Sequence, residues 1–445
     1  MLHRRRPTNP TLELGDIQAT VLRPRPAPYY GTHALLEITA APAGREALRR
    51  LRTRVASAAD WHQPRPAWTS VALTFPGLRA LDVPASSLES FPQPFREGMA
   101  ARADRLRDHG PNDPSRWEQP FGTGRVHLAV TVIAQSAAAW REEVRGYETA
   151  LHDLDGVHLV LRQDFGNQPN GTNAFGFKDG FTQPVVEGSG VEGRPGDGRP
   201  IKPGEFVLGY PAEGGYPLPM PSPTELGRNG TFVVFRKYHS HVAAFNRYLH
   251  RGADTADGRE LLAAKLVGRW RSGAPLALAP EKDDAALGAD DSRNNDFTYH
   301  ADPRGLRTPL GSHVRRMNPR DTDLKVLTNV NIHRLIRRST TYGDPLGDDV
   351  LDDDGRSRGL DFIAIGARAI DTVEFLQSEW VNSGNFIGRG TEKDPMLGVQ
   401  DEGAYFTVPG VPPRRIDGIE TFNTLQGGEY FFMPSLTALD WLTDL

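Results

Sequence analysis

Cysteine is absent from the 445 residues of this chain. Its absence excludes disulfide cross-links, a thiolate nucleophile and any metal centre held by thiolates. Long apolar runs are missing too, and no segment approaches the length needed to cross a bilayer. The basic residues His3 to Arg6 lead into Pro7, Asn9 and Pro10 with no apolar segment behind them. Neither a secretory nor a twin-arginine signal is therefore expected, and the cytoplasm is the expected location. A strong charge of either sign is also lacking: 52 Lys and Arg stand against 56 Asp and Glu, a formal net charge of −4. Such a balance leaves no electrostatic footprint for nucleic acid. What remains, 38% apolar and 24% charged residues, describes a soluble globular protein long enough for two domains or one enlarged unit.

The order of elements gives α+β patterning. His33 to Ile38, Trp68 to Phe75, Val126 to Ile133 and Gly156 to Leu161 read as strands, and so does Asp16 to Leu22. The run that Pro42 opens, AGREALRRLRTRVASA, and Ala137 to Leu151 read as helices between them. Two β-α-β units in antiparallel order would make a ferredoxin-like half. Gly and Pro crowd Glu187 to Gly204 and Ala212 to Pro223, which sets an expected boundary between residues 1–224 and 225–445. Beyond it the pattern repeats: a strand at Thr231 to Phe235, helices at His241 to Leu249 and Gly258 to Trp270, and a strand at Leu360 to Ile365. A helix from Ala369 to Trp380 and a last strand and helix within Tyr430 to Leu442 complete it. Acidic stretches at Glu281 to Asp296 and Asp344 to Asp354 read as loops; they offer oxygen ligands for Mn or Ca, although Asp-rich loops are usually just solvated. His239-Ser-His241 pairs two imidazoles but lacks a third ligand at a sensible spacing.

Most of the chemistry is concentrated in Thr308 to Pro345, TPLGSHVRRMNPRDTDLKVLTNVNIHRLIRRSTTYGDP. One histidine, His313, precedes Arg315, Arg316 and Arg320, and a second, His333, precedes Arg337 and Arg338. An imidazole ringed by cations suits a bound anion. A dianionic haem fits, because its iron needs an axial imidazole, its propionates need Arg or backbone donors, and without cysteine the axial ligand is left to His or Tyr. Residue chemistry alone does not separate His313 from His333, nor Arg337 from Arg338. Upstream, Gly176-Phe-Lys-Asp-Gly180 carries Asp179, although Asp-Gly is also a common turn dipeptide.

These three motifs together, His313 to Arg320 (HVRRMNPR), Arg337 to Gly343 (RRSTTYG) and Gly176 to Gly180 (GFKDG), resemble the dye-decolourising peroxidases in order and spacing. The resemblance runs from about Val126 to the C-terminus; Gly204 to Pro211 and Leu226 to Phe232 resemble the longer, non-secreted branch of that family. Thr341 stands where many relatives have Pro. The resemblance implies two ferredoxin-like domains, with antiparallel sheets and packed helices, and haem b bound in the C-terminal half. Asp179 and Arg337 are then the catalytic pair and His313, seven residues before Arg320, the axial ligand of the iron. Arg320 and Arg315 are candidates for the propionates, and Gly180 belongs to the distal loop. Leu360 and Phe362, on one face of their strand, shield the pocket, and Glu374 is the candidate acceptor for the other ring proton of His313. Hydrogen peroxide is the implied oxidant and bulky phenols or dyes the implied donors, with Trp or Tyr residues relaying electrons and activity peaking in acid. A homo-oligomer is compatible with the sequence. A haem carrier or sensor is the competing reading; it would need His313 and the propionate arginines but neither Asp179 nor Arg337.

Overall fold

The structure, a computed structural model, describes residues 11–445 apart from 63–64, 167–170, 323 and 325–327. The basic segment His3 to Arg6 lies outside the described residues. No helix among those described is long and apolar enough to cross a membrane.

Four strands come from the first half of the chain: β1 (Tyr30–Ile38), β2 (Ala67–Leu73), β3 (Leu128–Ala134) and β4 (Val157–Gly166). The second half supplies β5 (Thr231–Ser240), β6 (Ile336–Arg337), β7 (Thr340–Tyr342) and β8 (Gly359–Gly366). A small hairpin of β9 (Tyr405–Val408) and β10 (Arg414–Asp417) stands apart, and β11 (Asn423–Met433) closes the series. The nine-stranded main sheet runs β4-β1-β3-β2-β11-β5-β8-β6, with β7 also on β8. Its first four strands take the order 4-1-3-2 of a ferredoxin-like unit. The second group takes the same order when β5, β6 with β7, β8 and β11 are counted as its four. All the pairings are antiparallel, and the two groups meet where Phe432 of β11 lies opposite Leu73 of β2.

Strand β5 is buried along nearly its whole length, so its sequence TFVVFRKYHS reads mostly as an apolar run rather than an alternation. Its two internal cations must be paired. Arg236 donates to both oxygens of Asp108 at 2.9 and 2.6 Å, and Lys237 donates to Glu118 at 2.5 Å. Hydroxyl caps fix the helix starts: Ser136 Oγ accepts from the Ala139 N–H ahead of Ala137–Leu151, and Thr255 Oγ1 from the Gly258 N–H ahead of Ala256–Val267. The main apolar cluster extends from Leu12 to Leu442 and is built from both halves. A second cluster packs Phe175 and Phe177 against Phe245, Tyr248 and Phe422.

Three local readings are corrected. Asp16 to Leu22 is not a strand; its end forms a short helix, Ala19–Leu22. The reason is Gln18, whose carboxamide donates to Val71 O and Pro434 O and accepts from Val71 N, taking the edge of β2 that a strand would use. Glu281 to Asp296 contains a helical turn, Ala285–Ala289, capped by Asp284. The helix expected through Trp380 is α-helical only over Ala369–Phe375, then widens into a π-helical turn, Leu376–Val381. Such a turn inserts a residue into the helix and re-aims the side chains beyond it, and it is frequent at functional sites.

Candidate active site

A cavity opens between β5, β8, the turn Leu376–Val381 and the loop that carries Asp179. Its proximal wall is the short helix His313–Met317. His313 lines the cavity and its Nδ1 donates to the carboxylate of Asp394, 3.0 Å to Oδ2 and 3.2 Å to Oδ1. Asp394 is fully buried, and its Oδ1 also accepts the N–H groups of Met396 and Leu397 at 2.8 Å each. Burial works to raise this carboxyl group. The charge and hydrogen bond of His313, with the Arg316 charge and the Leu397 N–H, outweigh it and hold Asp394 below the usual carboxylate range. Arg316 is buried beneath the same helix and donates to Gly311 O, Trp380 O, Ser383 O and Glu392 O. The orientation of His313 is therefore fixed from two sides, and its Nε2 is left without a protein hydrogen bond among the described residues.

Another part of the wall comes from the Gly176–Gly180 loop and from β6. Asn173 organises the loop: its Oδ1 accepts from Phe175 N and Phe177 N, and the two phenylalanines anchor it in the second cluster. Asp179 follows them onto the cavity wall, with its Oδ1 accepting the Gly180 N–H at 2.6 Å. Among the described residues that line the cavity it is the one carboxylate. Arg337 on β6 is held by two reciprocal bonds with the Gln183 carboxamide, 3.0 and 3.2 Å, and its Nη2 donates to Thr182 O at 2.5 Å. Burial lowers Arg337, and the Asp179 charge opposes that shift.

Four guanidinium groups, Arg269, Arg320, Arg334 and Arg337, line this cavity, and their hydrogen bonds run to carbonyls and to Asn295 rather than to carboxylates. Arg334 Nη2 is buried with no hydrogen-bond partner among the described residues, and burial pushes Arg334 and Arg269 down to about 10, still cationic at neutral pH. Unpaired cations in an apolar cavity are costly unless an anion joins them. Apolar walls from Leu360, Phe362, Val373 and Leu376, an imidazole on one side and surplus cations elsewhere fit a flat, apolar dianion such as haem.

The fold brings most of the expected residues together. His313, Asp179, Arg337, Arg320, Leu360 and Phe362 all line the cavity. Gly180, in the left-handed region at φ 90°, serves the loop's turn rather than the wall. Two expectations are corrected. Glu374 is not the partner of His313: it is buried behind the helix, where both its oxygens bond Arg102 and Oε1 also accepts from Tyr430. Val373, Leu376 and Gln377 take the face towards the cavity, and Glu374 is about 100° round the helix from Val373. Arg315 is turned away likewise, donating to Thr308 O, Asp302 O and Asp302 Oδ2 beneath Tyr299. Asp394 and Arg269 stand outside the motifs, and Arg334 reads in the sequence only as one more arginine of the Thr308 to Pro345 stretch. Asp-Pro at 394–395 carries a turn signal, but nothing in it points to a histidine 81 residues away.

Two pairs of variants test this geometry. Asp394→Asn should weaken haem retention about 10–100-fold, as loss of an outer-shell partner usually does, because an amide keeps the shape but not the charge that steadies the Nδ1 proton. Glu374→Gln should leave retention unchanged; haem transfer to a scavenger apoprotein measures both. Arg337→Leu should slow the first peroxide-dependent step about 10²–10³-fold, the typical worth of a charge-stabilising donor. Arg338 points the other way, donating to Thr20 O and Val21 O, so Arg338→Leu should lower the melting temperature and spare that step. Stopped-flow spectra with peroxide decide, and a slower step in the Arg338 variant would reverse the assignment.

No family model matches the chain. A dye-decolorizing peroxidase of Mycena epipterygia is 31% identical over 408 residues, covering 83% of this chain and 75% of the relative. Among solved structures, a fungal DyP-type peroxidase from Auricularia auricula-judae matches with a TM-score of 0.84 at 26% identity, over 98% of this chain and 100% of that one. A dye-decolorizing peroxidase in complex with 2,6-dimethoxyphenol matches with a TM-score of 0.81 at 28% identity, over 98% and 100% of the two chains. With a relative above 30% identity matched over three quarters of its length, the chain belongs to the dye-decolourising peroxidases, which are haem enzymes.

Proposed function

We propose that the cavity would hold haem b with His313 as the residue that binds its iron, and that the protein reduces hydrogen peroxide while oxidising bulky phenols, the class of the 2,6-dimethoxyphenol held by one of its relatives. One observation carries this reading: a carboxylate-oriented imidazole and an Asp–Arg pair line one cavity together with an excess of cations. A chain without cysteine has no thioether attachment to offer, which favours the non-covalent haem.

Haem, when bound, would supply the redox chemistry of its iron. The protein's part is to hold and move charge. Asp394 fixes the Nδ1 proton of His313 and makes Nε2 a better donor to iron. Arg320 and Arg334 offer guanidinium donors to the propionates. Asp179 accepts the peroxide proton and returns it to the departing oxygen so that water leaves, and Arg337 stabilises the charge that develops meanwhile. In the same proposal residues 1–224 and 225–445 are two ferredoxin-like domains, the first lending its Gly176–Gly180 loop to the haem site of the second.

Reconstitution tests the proposal. One haem per chain, with a Soret band and peroxide-dependent oxidation of 2,6-dimethoxyphenol, is expected. Stoichiometric haem without turnover would instead favour a carrier.

A further inference from the structure

Tyr238 and Ser240 of β5 line the haem cavity, while His239 takes an alternate position on the same strand and His241 follows just past its end. Their rings approach edge to face, with centroids 4.7 Å apart. Asp353, from the loop between β7 and β8, joins them, and the nearest ligand atoms of the three residues all lie within 4.8 Å of one another. The sequence showed two imidazoles without a third ligand; the fold supplies it from more than a hundred residues away.

Each member has a donor atom to spare. His241 Nε2 bonds Thr424 Oγ1 at 3.0 Å, leaving Nδ1. Asp353 Oδ1 accepts the Gly355 N–H at 2.8 Å, leaving Oδ2. His239 is half-buried, and neither of its ring nitrogens has a hydrogen-bond partner among the described residues. Burial first, and for His239 the adjacent His241 next, lowers both imidazoles and favours the neutral form that binds metals. Arg358 and Lys237 add to this at His239, while Asp353 opposes it at both rings and Glu420 at His241.

We propose that His239, His241 and Asp353 bind a divalent transition-metal ion of the zinc class, which ties the 344–354 loop to the rim of the sheet. Two imidazole nitrogens and one carboxylate oxygen are a zinc donor set, with water as the fourth ligand, whereas calcium and magnesium favour all-oxygen sites. Bonds of about 2.1 Å would draw the three atoms together to about 3.4 Å, a movement available to the exposed Asp353. The loop already leans on the machinery beside it. Asn246 donates to Gly347 O and Val350 O, and Arg271 bridges Asp348 to Phe175 O in the loop that carries Asp179. A metal at Asp353 fastens the far end of that loop.

The haem-loaded enzyme, in which His313 is engaged, is dialysed against zinc alone, and bound metal is counted by mass spectrometry beside thermal unfolding. One zinc per chain and a higher melting temperature are expected. His239→Ala and Asp353→Asn should each weaken binding about tenfold or more. His250→Ala, at a surface histidine that pairs with Asp349, should not. Because Asp353 is exposed, its variant keeps the test decisive if His239→Ala fails to fold. No retained zinc, or zinc held equally by the wild type and the Asp353→Asn variant, would overturn the assignment.

Discussion

Asp179→Asn is expected to slow the first peroxide-dependent step by about 10²–10⁴-fold, the range for a positioned acid–base group, while haem remains bound. Asp179 is the one carboxylate among the described residues of the cavity wall, and its charge acts on both Arg337 and Arg269. The amide keeps the volume and the oxygen that accepts the Gly180 N–H, so the loop should survive the exchange. A loss smaller than about tenfold would leave proton transfer to Arg337 and water. The pH profile separates the two candidates for a base. If Asp179 is the base, any acid limb of the wild-type profile should disappear in the Asn variant. The rival is His333, which also lines the cavity and which burial, then the Arg368 charge, push down to about 4. Its ring is stacked on Phe375 with centroids 4.3 Å apart, and its Nε2 is taken by Thr328 Oγ1. An acid limb that persists in Asp179→Asn and vanishes in His333→Ala would move the role to His333.

His313→Ala is expected to weaken haem binding by about a hundredfold or more, beyond the 10–100-fold typical of an outer-shell partner. His333→Ala should change it by less than about tenfold. The asymmetry stems from what each ring is tied to. The Nδ1 of His313 is held by a buried carboxylate kept below the usual range, while its Nε2 has no hydrogen bond among the described residues. Among the described residues nothing of that kind supports His333, which meets Phe375, Trp380 and a threonine hydroxyl. Added imidazole should restore the Soret position in His313→Ala, since it refills the cavity left by the ring. Retention in His313→Ala with loss in His333→Ala would invert the assignment.

Local spacing made much of this site legible. The alternation of β8 put Leu360 and Phe362 on one face, whereas Arg337, the last residue of β6, and Arg338 just past it were told apart only by the family resemblance, although they point to different places. The 4-1-3-2 order of each sheet half could be anticipated from the succession of strands and helices, because short connections leave few topologies. Residues whose roles depend on tertiary contact were not legible. Glu374 and Asp394 are both buried acids, and only the packing of the turn Leu376–Val381 decides which of them reaches His313. Arg315 and Arg320 belong to one motif, yet Arg320 takes a left-handed backbone, φ 52°, that swings it over Phe297 into the cavity, while Arg315 is drawn off by Asp302. Asp353 reads as one of three consecutive acids and is distinguished only by the two imidazoles the fold brings beside it.

The position of the iron is the most direct test. Anomalous diffraction at the iron edge, from crystals of the haem-loaded protein, should place the metal within bonding distance of His313 Nε2, with Asp179 and Arg337 on the far side of the porphyrin plane. Iron bound to His333, or Asp179 on the same side as His313, would contradict it.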